Sequence, residues 1–115
     1  MSEPLAVPVL EDLVSLPVEV SRGDEPWVVS VTAKAVNGDE VTLTWDEVAA
    51  SIHIRCVAQG VDRFIVEREN IVRVDIRGSG DRIEFQAWLS SPDLEGSVLV
   101  VIGRGVTMGD ALLRV

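Results

Sequence analysis

The chain has 115 residues, of which 47% are hydrophobic and 25% charged, and its formal net charge is −9. That composition belongs to a globular protein of single-domain size, long enough to bury roughly two-thirds of its unfolded surface. The acidic balance argues against direct nucleic-acid binding, which needs a clustered positive surface; no apolar run nears the roughly 20 residues that cross a bilayer.

Residues 1–50 hold 10 acidic and 2 basic residues, against 9 and 8 in residues 51–115. The ordinary meaning of such a balance is solubility, and the sharper one is an acidic face for a basic partner. The N-terminus lacks a basic segment followed by an apolar one, so no signal peptide is expected. Cys56 is the lone cysteine, which fits a reducing cytoplasm. Val supplies 21 residues and Tyr none; β-branched richness favours strands.

Residues 1–25 contain Pro4, Pro8 and Pro17. Short extended pieces are expected at 5–10 and 16–20, with a helical turn near Asp12-Leu13-Val14 as the alternative for the stretch between them. This segment is the candidate for a loosely packed N-terminal extension of a domain covering 1–115. From Trp27 the pattern sharpens, since Trp27, Val29, Val31, Ala33 and Ala35 share one parity and Val41, Leu43 and Trp45 share it too. Side chains alternate faces along a strand, so these two strands pair at positions with an even sum. That parity predicts a three-residue loop at 37–39 or a bulge, despite the two-residue turn usual for Asn-Gly. Trp27 and Trp45 are both expected in the core.

The strand 50–58 puts Ile52, Ile54 and Cys56 inward and His53 and Arg55 outward. A turn at 60–62 leads into 63–67, and Gln59 opposite Arg63 pairs Arg55 with Glu67, His53 with Glu69 and Val57 with Ile65. Glu69-Asn70 breaks the alternation, which predicts a tight turn or bulge. A hairpin follows around Gly78–Gly80. Its apolar residues are even before the turn (Val72, Val74, Ile76) and odd after it (Ile83, Phe85, Ala87). Paired positions therefore sum to an odd number, and Arg77 opposite Arg82 satisfies this. Residues 97–103, almost wholly apolar, read as a strand covered on both faces. Residues 108–115 are expected to form a short helix or an edge strand.

About eight strands with short turns make an all-β fold, a small antiparallel barrel or sandwich. The passage Phe64-Ile65-Val66-Glu67-Arg68-Glu69-Asn70-Ile71-Val72-Arg73-Val74 resembles the tight-turn junction of SH3-like and Sm-like barrels. The hairpin, apolar strand and terminal segment together are similar to bacterial pleckstrin-homology-like domains. Each resemblance covers under half of the chain and implies fold alone.

Chemistry-bearing residues are sparse. His53 and Cys56 have opposite parity, so they point apart, which argues against a Cys–His nucleophile and against a zinc site. His53 with Glu67 and Glu69 is the one weak metal grouping. No catalytic, metal or cofactor residue is assigned, and no enzyme is expected. Gly78-Ser79-Gly80 and Gly103-Arg104-Gly105 lack the helix that a phosphate loop requires. Arg73, Arg77 and Glu84 share the outer hairpin face with Trp88, the type of residue that anchors interfaces; Val57 and Ile65 form a second candidate patch. The leading expectation is a cytoplasmic, non-catalytic interaction or self-assembly module with a protein partner, working through a strand edge or the Trp88 face. The alternatives are an acidic inhibitor or immunity-type protein that meets a basic partner, or a carrier with a small ligand inside the barrel.

Overall fold

In the computed structural model, which describes residues 5–114 with side chains to Ala111, the chain is all-β. Residues 1–4 of the proposed extension and Val115 of the last segment lie outside it. Nine strands run in chain order: β1 (Val18–Arg22), β2 (Val28–Lys34), β3 (Glu40–Asp46), β4 (Ser51–Ala58), β5 (Val61–Arg68), β6 (Ile71–Ser79), β7 (Arg82–Ser91), β8 (Leu94–Ile102) and β9 (Val106–Arg114). Two antiparallel meanders result, a five-stranded sheet β1-β2-β3-β4-β5 and a four-stranded sheet β6-β7-β8-β9. One 3₁₀ turn, Leu10–Leu13, precedes them and buries Leu13. The last segment is thus an edge strand rather than a helix.

The core lies between the inner faces of the two sheets. β2 and β3 alternate buried and half-buried residues along their length, and the inner side chains Val31, Val41, Leu43, Trp45, Ile54 and Cys56 meet Val74, Phe85, Val98, Val100 and Ile102 of the other sheet in one cluster. Each such large side chain contributes about 1.5–3 kcal/mol on burial. Leu5 and Leu13 join the same cluster. Ala6 bridges in parallel to Arg73, with its N–H donating to the Val72 carbonyl at 3.1 Å and its carbonyl accepting from Val74 N–H at 2.8 Å. The segment thereby covers part of the β6 edge, where unpaired backbone groups would otherwise stand free.

In the three hairpins whose register the sequence predicts, β2–β3, β4–β5 and β6–β7, the expected parity holds through the body of the ladder, but the register is displaced by two residues. In β2–β3, Lys34 faces Glu40 and the loop is 36–38 rather than 37–39; Gly38, at φ 96°, supplies the left-handed residue that closes a three-residue loop. Two hydroxyl pairs mark this register on the outer face, Ser30 with Thr44 at 2.7 Å and Thr32 with Thr42 at 2.9 Å. In β4–β5 the turn is Gln59-Gly60, both at positive φ, and a bulge follows at Cys56/Val57. His53 therefore faces Glu67, Arg55 faces Ile65, and Val57 faces Asp62; the expected Val57–Ile65 pair is not made. In β6–β7 a two-residue turn at Gly80-Asp81 replaces a four-residue loop, so Arg77 faces Glu84 and Ser79 faces Arg82. Tight turns win because burial constrains only the parity, leaving local turn chemistry to choose among registers two residues apart.

Other expectations shift for equally local reasons. A register irregularity between Ile71 and Arg73 turns Ile71 inward (3% exposed) and Val72 outward (46% exposed). Trp27 precedes β2 and is 37% exposed instead of buried, whereas Trp45 is buried. β8 is not covered equally on both faces: Val98, Val100 and Ile102 are buried while Leu99 and Val101 are half-buried.

Candidate functional site

An antiparallel meander sends alternate turns to opposite ends of its sheet. Here that topology sorts charge. The turns β1–β2, β3–β4, β5–β6 and β7–β8 emerge at one end and hold Asp24, Glu25, Glu47, Glu69 and Asp93, with no basic residue in any of them. The other end, with turns β2–β3, β4–β5, β6–β7 and β8–β9, holds Asp39, Asp81 and Arg104.

Backbone hydrogen bonds tie the acidic turns into one surface. Glu47 N–H donates to the Trp27 carbonyl (3.0 Å), Ile71 N–H to the Ala50 carbonyl (2.9 Å) and Ser90 N–H to the Asn70 carbonyl (3.0 Å). Asp46 closes the β3–β4 turn, its Oδ1 accepting from the N–H groups of Val48 (2.9 Å) and Ala49 (2.8 Å). Ala50 and Asn70 adopt left-handed conformations, at φ 52° and 59°, which turn the chain sharply enough for these contacts.

A cleft of about 480 Å³ opens here, lined among others by Val28, Asp46, Ser51, His53, Glu67 and Glu69. His53 Nε2 lies 3.7 Å from Glu67 Oε1. Trp27 and Val48, 37% and 73% exposed, stand among the acidic turns. A half-exposed tryptophan inside a polar rim is the usual composition of an energetic centre for protein binding. Arg68, the cation nearest this end on β5, is committed to an ion pair with Asp110 of β9. Among the described residues no group of three or more His, Cys, Asp or Glu is arranged to hold a metal ion.

The residues singled out from sequence occupy two other surfaces. Arg73 and Trp88 face each other across β6 and β7, with the guanidinium 5.2 Å from the ring centroid. Arg73 also binds Asp75 through two hydrogen bonds of 3.0 Å. Arg77 donates to Gln86 Oε1 at 2.9 Å and stands opposite Glu84. These four residues belong to the four-stranded sheet, while Val57 and Ile65 belong to the five-stranded one, so the six do not form one patch. Sequence reading missed the acidic end because its carboxylates are up to 69 positions apart, Asp24 to Asp93. The available signal was their repeated placement in every second turn.

No protein-family model matches the chain, and no curated protein matches it in sequence. A solved chain shares its fold with a TM-score of 0.77, covering 95% of this chain and 97% of its own length. It comes from a contact-dependent growth inhibition toxin–immunity protein complex of Klebsiella pneumoniae 342. The two sequences are 14% identical. The likeness is one of fold.

Proposed function

We propose that this chain is an immunity-type inhibitor that binds a basic toxin domain through its acidic end, with Trp27 as the central contact. The observation that carries the reading is the concentration of carboxylates in every turn at that end around an exposed tryptophan. The fold it shares with a chain of a toxin–immunity complex supports the same class. Of the two roles in such a complex, a net charge of −9 favours the inhibitor: it steers a cationic partner toward the protein and suppresses association with other acidic surfaces. Binding by surface complementarity needs no catalytic group on this chain.

The decisive measurement is titration of the chain with a toxin domain encoded beside its gene. A tight complex is expected, with an association rate that falls steeply as salt rises. Trp27→Ala should weaken it about thirtyfold or more, the effect of losing a central aromatic contact worth about 2 kcal/mol. The double variant Glu25→Lys, Glu47→Lys should slow association while leaving the circular dichroism unchanged. Wild-type affinity in all these variants would place the interface elsewhere; absence of any complex would overturn the reading.

A further inference from the structure

We propose that the end opposite the acidic one carries a binding site for a phosphate group, built from Arg63, Arg82 and Arg104. This site is independent of the inhibitor reading and uses none of its residues. A cleft of about 370 Å³ lies there, lined by these three arginines with Asn37, the β8–β9 turn and Thr107. It is large enough for a phosphate with a substituent attached.

The cleft walls are held in place. The β2–β3 loop docks on the β8–β9 turn, with Val36 N–H donating to the Gly103 carbonyl and Asn37 N–H to the Arg104 carbonyl, both at 2.9 Å. Arg63 Nη1 donates to the Val106 carbonyl at 3.0 Å and to Asp39 Oδ2 at 3.4 Å. The stem of Arg82 lies across Gly103 so closely that a Cβ there would sit 3.3 Å from Cγ. A Cβ on Gly105 would sit 3.2 Å from Asn37 Nδ2. Both glycines of the Gly103-Arg104-Gly105 turn thus let side chains approach the backbone, a requirement unrelated to a helix.

Charge gives the ligand class. In a chain with 19 acidic and 10 basic residues, most described arginines find an acceptor: Arg55 with Asp62, Arg63 with Asp39, Arg68 with Asp110, Arg73 with Asp75 and Arg77 with Gln86. Among the described residues Arg22, Arg82 and Arg104 have no side-chain hydrogen-bond partner, and of these Arg82 and Arg104 both line this cleft beside Arg63. Asp39, the carboxylate partner of Arg63, is 8% exposed and already accepts from its own turn's Asn37 Nδ2 at 3.2 Å. Three arginines thus line one cleft beside the Arg63–Asp39 pair, and the donors of Arg82 and Arg104 suit a tetrahedral oxyanion, whose oxygens match the fork geometry of arginine.

The test is an amide-resolved NMR titration of the full chain with inorganic phosphate, sodium chloride at equal ionic strength and adenosine monophosphate. Saturable shifts centred on residues 103–107 with phosphate, absent with chloride, are expected. Arg82→Gln and Arg104→Gln should each weaken them about tenfold, the loss of one charge-assisted hydrogen bond. Equal affinity for phosphate and the nucleotide assigns the cleft to the phosphate group alone, and tighter nucleotide binding extends it to the attached group. Chloride shifts of the same pattern, or no saturation with either phosphate, would overturn the proposal from the wild-type protein alone, whatever the variants' stability.

Discussion

Cys56 shows how a single side chain is read differently at each level. Its parity on β4 put it inward, and it is fully buried. Burial pushes its thiol above the ordinary value; the charge of Arg63 pulls it down and that of Asp39 pushes it up again. A folded-state pKa above the unfolded one means that the thiol favours folding fully below the unfolded value, and that this contribution is lost as pH rises through the folded one. With one lysine and no tyrosine in the chain, little else titrates in that range. Stability measured by urea unfolding is therefore expected to decline as pH rises through and beyond the ordinary thiol range, and Cys56→Val should remove most of the slope. Trp27 is the contrasting case: its parity matched the core, but it stands before the first ladder pair of β2, where alternation no longer dictates a face.

Among the elements, the hairpins separate two kinds of constraint. Apolar alternation dictated which face each residue takes, because a one-residue slip would expose every core side chain. Two-residue displacements keep the faces intact, so turn residues decide between them. Gln59 sits at φ 54° ahead of Gly60 at φ 77°, a pair of left-handed positions better suited to Asn-Gly. Gln59→Asn is expected to stabilise the protein by about 0.5 kcal/mol, since Asn tolerates that conformation. At Gly80, φ 63°, a Cβ would meet nothing within 4 Å. Gly80→Ala should therefore cost about 1 kcal/mol through backbone strain alone. Thermal denaturation of the two variants checks both signs; a neutral Gly80→Ala would contradict the turn geometry. The tighter turn also sets Arg77 against Glu84 rather than against Arg82, so opposite charges face each other there.

At the scale of the whole molecule, two sheets share one core, so neither is expected to unfold alone. Phe85 of β7 is fully buried against residues of both sheets, and Phe85→Ala should cost about 3–5 kcal/mol. The loss should lower the urea midpoint equally by tryptophan fluorescence and by circular dichroism, as Trp45 lies in one sheet and Trp88 in the other. Divergent midpoints would show that the sheets are separate cooperative units. The same architecture distributes the ionised groups: a meander returns every second turn to one end, which converts scattered acidic residues into a single electronegative surface and leaves Arg82 and Arg104 together at the other.

The all-β class, the strands from Val28 onward and most of the inward set (Val29 to Trp45, Ile52 to Cys56, Val74, Ile83, Phe85 and Ala87) were legible in the residues, because period-two alternation is a local signal that burial enforces. The register within each parity, the outward turn of Val72 and the exposure of Trp27 were not, since they depend on turn dihedrals and a bulge that alternation does not encode. Least legible were the acidic end and the arginine cleft. Their residues lie far apart along the chain, and only the return of antiparallel strands and the docking of one turn on another brought them side by side.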